Sequence, residues 1–355
     1  MKYFKLVSIA FASSFAGSTA AQAYNGSSDL SAWPSGARAT LTNLINRKAN
    51  SSNYAAFDMD NTSYRYDLTE SLLAYLSTRG ILNRSNLDPS LKLVPFKDTA
   101  NYTESLYSYY NRLCEIDDYV CYPWIAQSFA GFSLRELKTY VDELMALPAP
   151  INTTYLVGDV VTPISVSPPR LYTGQVQLYT ALQAANISVY VITAANEEIV
   201  RMVASDPKYG YNVPPENVIG VSMLLRSENG TLTTARKQVK EGTYDAEANL
   251  DLVLTPYLWS PLTWFSGKWA AILEYIDEWK KPVLVAGDTP GSDTYMLFQG
   301  VNTTEGGVHL WINRREAYYE ELQELYQDAA RGQVENGIGA TANQSWVVVK
   351  PEDIL

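Results

Sequence analysis

The sequence predicts an α/β fold, a parallel sheet with helices on both faces, carrying a helical cap inserted after the first strand. Three observations carry this. From residue 54 onward, short apolar runs alternate with segments of helical spacing, the pattern of βαβ units. Residues 67–148 break that alternation with helical pieces alone. The apolar runs also end in polar residues, Asp58, Thr193 and Asp288, which a parallel sheet gathers beyond the carboxyl ends of its strands.

Residues 1–23 carry Lys2 and Lys5, a short apolar stretch and Ala21-Gln22-Ala23, the layout of a secretory signal cut after Ala23. Serines and glycines interrupt the stretch well short of the roughly 20 apolar residues that a membrane span needs. The chain is therefore expected to be exported without stable membrane insertion. The core is expected to comprise 24–66 and 149–355, and the cap 67–148. Tyr54-Ala55-Ala56-Phe57 reads as the first strand, and the cap as LTESLLAYLSTRG, YTESLYSYYNRL and SLRELKTYVDELMAL. Helix 171–186, strand SVYVITAAN, helix EEIVRMVAS and strand VIGVSMLL follow. Residues 226–250 are polar and read as a hairpin excursion around Asn229-Gly230. KWAAILEYIDEW (helix), KPVLVAGDT (strand), DTYMLFQG (helix), VHLWINR (strand) and REAYYEELQELYQDAAR (helix) complete the order.

Composition narrows the chemistry. With 27 Lys+Arg against 38 Asp+Glu, the 355 residues carry a net charge of −11, which argues against a nucleic-acid partner. The single histidine, His309, cannot build a histidine-rich metal site, and a Ser-His-Asp hydrolase would rest on it alone. It reads instead as a packing residue of its strand. Chemistry here must run on carboxylates. In an oxidising compartment Cys114 and Cys121 pair, the alternative being two buried free thiols. They cannot share one regular helix, where seven residues would hold them about 10 Å apart. Ten Asn-X-Ser/Thr sequons, at Asn25, Asn50, Asn61, Asn83, Asn101, Asn152, Asn186, Asn229, Asn302 and Asn343, point to a glycosylating eukaryotic secretory route. Asn61 is expected to stay bare because it lies among the candidate catalytic residues.

Those residues begin with Asp58-Met59-Asp60-Asn61-Thr62. Thr193 ends a strand in VITAAN, Lys268 opens a helix in SGKWAA, and Gly287-Asp288-Thr289-Pro290-Gly291-Ser292-Asp293 follows a strand. In this order the four motifs resemble those of the haloacid dehalogenase-like (HAD) phosphohydrolases, over about residues 54–315. The resemblance implies a Rossmann-like core, Mg²⁺ and an aspartyl-phosphate intermediate. Phosphoryl transfer needs a nucleophile, a proton donor and positive charge around the transferring oxygens. Asp58 suits the nucleophile and Asp60 the general acid and then base. Thr193 and Lys268 suit binding of phosphoryl oxygens. Asp58, Asp60 (through its carbonyl), Asp288 and Asp293 offer hard oxygens for Mg²⁺. Aspartate at position 60 separates this chain from the family's dehalogenases and P-type ATPases and favours phosphatases and phosphomutases. Export favours hydrolysis.

Tyrosine is abundant, at 26 residues, and concentrates in the cap. Aromatic faces beside carboxylates suit a quaternary ammonium, and Tyr119, Tyr122, Trp124 and Glu115 are the candidate cage, with helix packing as the plainer role for these aromatics. FDMDNTSY, RLCEIDDYVCYPW and AGDTPGSD are similar to the secreted bacterial phosphorylcholine phosphatases, a branch of the HAD class, although the dense sequons depart from a bacterial origin. The expected activity is Mg²⁺-dependent hydrolysis of a small phosphomonoester, phosphocholine first. The alternatives are a broad-specificity acid phosphatase of the same mechanism and a non-catalytic protein that binds choline or phosphate.

Overall fold

A computed structural model describes residues 29–259 and 262–355. The expected signal, residues 1–23, and the Asn25 sequon lie outside the described residues. In chain order the elements begin with α1 (Ser35–Lys48), β1 (Tyr54–Phe57) and β2 (Tyr64–Arg65). The insert contains α2 (Leu68–Thr78), α3 (Leu106–Cys114), α4 (Asp118–Gln127), α5 (Leu134–Met145), β3 (Ile151–Val157) and β4 (Val160–Val166). The chain returns through β5 (Arg170–Leu171), α6 (Thr173–Ala184), β6 (Ser188–Asn196), α7 (Glu197–Ala204), β7 (Val218–Arg226) and β8 (Leu232–Thr233). It ends with α8 (Ala235–Glu241), α9 (Ala246–Asn249), β9 (Val253–Trp259), α10 (Ser266–Tyr275), β10 (Leu284–Gly287), α11 (Pro290–Gly300), β11 (Val308–Ile312), α12 (Glu316–Glu335) and β12 (Trp346–Val349).

Among the described residues the central sheet runs β12-β11-β10-β1-β6-β7-β8, with β9 also pairing β7. From β12 to β7 every pairing is parallel; β8 and β9 run antiparallel to β7. Alternate strand residues serve opposite faces, as the pleat requires. Ala55, Phe57, Val189, Val191, Ala286 and Leu310 pack with α1, α6, α7 and the cap. Tyr54, Ala56, Ile192, Val285 and Trp311 pack with α10, α11 and α12. Both faces are covered, which is why these strands read as unbroken apolar runs. No helix among the described residues is long and apolar enough to cross a membrane.

β2 and β5 pair antiparallel, Tyr64 with Leu171 and Arg65 with Arg170, so the chain leaves and re-enters the core through one two-stranded clasp. The insert therefore extends past the expected boundary at 148. The β3–β4 hairpin packs on α2 and α3 and is tied there by Leu156 N donating to Ser108 Oγ at 3.1 Å. Its strands escaped the sequence reading because much of their surface is open and Pro163 interrupts the second. Residues 226–250 form the expected hairpin, β7–β8, but then turn helical as α8 and α9, capped by Thr234 and Asp245. Cys114 ends α3 and Cys121 lies in α4; they form a disulfide with Cα atoms 5.0 Å apart, because the helix breaks between them.

Candidate active site

β1 runs out at Phe57 and delivers Asp58 to the carboxyl edge, where its amide still donates to Ala286 O at 3.0 Å. The turn that follows is held internally. Ser63 Oγ donates to Asp58 O at 2.6 Å, and Asn61, with φ 60°, accepts Tyr66 N on its Oδ1 at 3.0 Å. Asn61 is half-buried and lines the cleft. Asp60 Oδ1 accepts from Tyr64 OH at 2.7 Å and from Leu68 N, the first residue of α2, at 2.8 Å. Its Oδ2 takes no hydrogen bond among the described residues, and Asp60 lines the cleft. Burial, then the charge of Asp67, pushes the Asp60 carboxyl well above the ordinary aspartate range. A carboxyl that keeps its proton suits a general acid.

Lys268 sits in the first turn of α10, 1% exposed. Its Nζ donates to Asp58 Oδ1 at 2.5 Å and to Asp293 Oδ1 at 2.7 Å. Burial alone would drive the ammonium toward neutrality, but Asp293 and Asp58 beside it raise its pKa above the lysine value. Burial likewise pushes the Asp58 carboxyl up, against the pull of Lys268. Gly267 permits this approach: a Cβ there would lie 1.9 Å from Leu262 O.

Asp293 Oδ2 accepts the amides of Asp288 (2.9 Å) and Thr289 (3.0 Å), so this one fully buried carboxylate fixes both Lys268 and the loop after β10. Gly287 makes room for it, since a Cβ there would meet Asp293 Oδ2 at 2.7 Å. Gly287→Ala should therefore displace Asp293 and its two clients. The expected result is a destabilisation of about 1–3 kcal/mol in urea melts, together with a fall in turnover.

The carboxylates of Asp58, Asp288 and Asp293 each offer an oxygen within 4.8 Å of the others. Three clustered hard oxygens fit a divalent cation such as Mg²⁺. Asp293 spends both oxygens on Lys268 and the loop and does not line the cleft; Asp58 and Asp288 do. Asp293 is thus placed to orient the cluster. Thr62 Oγ1 lies 2.9 Å from Asp288 Oδ1 and 3.2 Å from Asp58 Oδ2, and its one proton serves the pair. Asp288 Oδ2 accepts from Thr289 Oγ1 at 2.9 Å and from Arg314 Nε. Thr193, buried within β6 three residues before its end, lines the same cleft.

The expected cage is largely elsewhere. Only Tyr122 lines the cleft, whose volume is about 300 Å³. Trp124 is buried in the cap against Tyr109 and Tyr110, its Nε1 donating to Leu91 O at 2.7 Å. Two residues further along α4 than Tyr122, it points about 200° away. Tyr119 is 57% exposed and leans on Phe265 and Trp264, while Glu115 is exposed at the end of α3. The cap wall is built instead from Asp67, Glu70, Tyr110, Tyr122 and Ile125, facing Arg314, Arg315 and Tyr318 of the core. Asp67 caps α2 by accepting Glu70 N at 2.7 Å, and Tyr110 OH donates to Glu70 Oε1 at 3.1 Å. Burial, then Asp67, raises the Glu70 carboxyl to about 7. The signals for these residues were present: an Asp-x-x-Glu helix start just after the nucleophile loop, and Arg314 at the end of a parallel strand.

His309 is fully buried under Trp346, with ring nitrogens 2.7 Å from Gln344 O and 3.1 Å from Leu297 O. Burial lowers its pKa to about 4, and it lies outside the cleft wall. It is a packing residue.

No protein-family model matches the chain. A phosphorylcholine phosphatase of Pseudomonas aeruginosa is 60% identical over 327 residues, which span 92% of this chain and 93% of that protein. Among solved structures, a conserved protein of unknown function from Anaerococcus prevotii superposes with a TM-score of 0.55 at 18% identity, covering 83% of this chain and 90% of that one. It supports the fold alone. A HAD family hydrolase from Salmonella enterica serovar Typhi, with a TM-score of 0.41, 10% identity, and coverage of 78% and 67%, is too distant to carry an argument.

Proposed function

The chain belongs to the phosphorylcholine phosphatase family, and from that membership we propose that it hydrolyses phosphocholine to choline and phosphate in the Asp58 cleft. One observation supports this reading above the rest. A single cleft joins Asp58 and Asp288, with Lys268 buried behind Asp58, to a wall of Glu70, Tyr110 and Tyr122. Phosphocholine needs both ends, one for an anionic phosphate and one for a cation without an N–H. Such a cation is held by carboxylate charge and aromatic faces.

In this reading Asp58 attacks phosphorus, and the bond from phosphorus to the choline oxygen breaks as Asp60 gives that oxygen its proton. Asp60 then takes a proton from the water that attacks the aspartyl phosphate, releasing phosphate and restoring Asp58. Lys268 and the Thr193 hydroxyl hold the phosphoryl oxygens through the transfer. Mg²⁺, held by Asp58 and Asp288 with Asp293 behind them, would offset negative charge on those oxygens. Export through the 1–23 signal puts the Cys114–Cys121 bridge in an oxidising compartment. In a glycosylating host the exposed Asn50, Asn101, Asn152, Asn186, Asn229 and Asn343 accept glycans while Asn61 stays bare.

Glu70 tests the substrate. Glu70→Gln should raise KM for phosphocholine roughly tenfold and leave KM for p-nitrophenyl phosphate nearly unchanged; equal effects on both would remove the choline contact. The folded pKa of Glu70 lies above the carboxylate value, at about 7, so the group gains a proton and loses its charge as pH falls through that range. KM for phosphocholine should therefore rise toward acid pH in the wild type, and that rise should vanish in Glu70→Gln.

A further inference from the structure

The two oxygens of the Asp288 carboxylate have different neighbours. Thr62 Oγ1 lies 2.9 Å from Oδ1 and 3.2 Å from Asp58 Oδ2, so those two oxygens meet at one point between the loops. Oδ2 is taken up separately, by Thr289 Oγ1 at 2.9 Å and by Arg314 Nε. Arg314 Nη2 also donates to Thr289 Oγ1, at 3.0 Å. The guanidinium, Asp288 and Thr289 thus close a ring of contacts. A carboxylate tied in this way cannot turn freely about its own bond.

Arg314 is brought there by the sheet. β11 pairs parallel with β10 and sets Trp311 beside Gly287, so the chain three residues beyond Trp311 runs alongside the Asp288–Thr289 turn. Its backbone is anchored, Asn313 N donating to Val349 O at 2.8 Å and Arg314 N to Ile312 O at 2.9 Å. The guanidinium lies over the Tyr318 ring, 4.9 Å from the centroid. A planar fork held in this way loses little freedom on binding two adjacent acceptors, which a lysine could not match. Among the described residues, the cations that line the cleft are Arg314 and Arg315, and only Arg314 is paired with a carboxylate of the cluster.

We infer that Arg314 is a positioning residue, locking Asp288 with Oδ1 turned toward Asp58 and so setting how tightly the cluster holds a divalent cation. This rests on the metal reading of the cluster given above. Two effects of opposite sign meet at Arg314. Its charge repels an incoming cation, whereas its fork keeps one ligand oxygen in place. Orientation outweighs repulsion here, because the Arg314 side chain is 21% exposed and the Asp288 side chain 2%. Solvent reaches the guanidinium and screens it. Without it, the buried carboxylate would keep only the hydroxyls of Thr62 and Thr289 to fix its plane. Partners that orient a metal ligand are typically worth roughly 10–100-fold in affinity.

The probe is Mn²⁺, titrated into the substrate-free full chain with the free ion read by electron paramagnetic resonance. Asp288→Asn should bind it far more weakly than the wild type, which assigns the signal to the cluster. Arg314→Gln should raise its Kd roughly tenfold or more, and Arg314→Lys, which keeps the charge but loses the fork, should also raise it. Saturating Mg²⁺ should then restore most of the kcat that Arg314→Gln loses on p-nitrophenyl phosphate, with KM little changed; a merely misfolded variant would not recover. Unchanged or tighter Mn²⁺ binding in Arg314→Gln would overturn the inference, as would a rate that saturating Mg²⁺ does not restore. Arg314→Lys binding as tightly as the wild type would overturn the orienting role of the fork. A wild type that binds no Mn²⁺ would overturn the metal reading itself, and this inference with it.

Discussion

Asp58→Asn should abolish phosphate release, by roughly 10⁴-fold or more, with little loss of stability. The amide cannot form the acyl phosphate, so no residual route runs through this side chain. The fold should tolerate the change because asparagine keeps the shape and an acceptor for Lys268 Nζ, now 2.5 Å from Asp58 Oδ1. Lys268 also retains Asp293 at 2.7 Å. Removing one of several crowded buried carboxylates relieves repulsion that burial currently aggravates. The check is paired: turnover by phosphate assay and the urea midpoint on the same preparation. Turnover near the wild-type rate would take the nucleophile's role away from Asp58.

Lys268→Met should be damaging in both readouts. The side chain is similar in length, but Asp58 and Asp293 are left buried with no cation between them. Breaking a buried pair in this one-sided way costs about 3–5 kcal/mol, and a lost charge at the phosphoryl oxygens costs roughly 10²–10³-fold in rate. A second variant separates the two effects. Asp58→Asn combined with Lys268→Met should be less destabilised than the sum of the single changes, because the first removes a charge that the second orphans. Additive losses would mean that the ion pair does not hold the loops together.

What was legible in the sequence follows from how the site is built. Asp58, Thr193 and Asp288 stand at the ends of unbroken apolar runs, because both faces of those strands are covered, and Lys268 follows a glycine at a helix start. Chain order and strand ends therefore sufficed to bring them to one edge. The cap wall was not legible in the same way. Composition pointed to tyrosines, but which side of α4 meets the cleft depends on how α4 leans on α3, so Tyr122 faces the site while Trp124 serves the cap core. Glu70 was overlooked because an acidic residue in a first helical turn has an ordinary reason to be there, helix capping and dipole. Arg314 was overlooked although β11 ends beside β10, and its guanidinium meets Asp288. The cap's far boundary failed for another reason: the half-exposed β3–β4 hairpin carries neither the alternation of a sheet face nor the run of a buried strand.

Phosphate release from phosphocholine, phosphoethanolamine and p-nitrophenyl phosphate, measured with Mg²⁺ and again after chelation, bears most directly on the activity. The expected result is kcat/KM roughly tenfold or more higher for phosphocholine than for phosphoethanolamine, with all release lost on chelation and restored by Mg²⁺. Rates indifferent to the headgroup would contradict the phosphocholine reading and leave a broad phosphatase. Release that survives chelation would contradict the metal's place in the Asp58–Asp288 cluster, and no release from any substrate would leave only a binding protein.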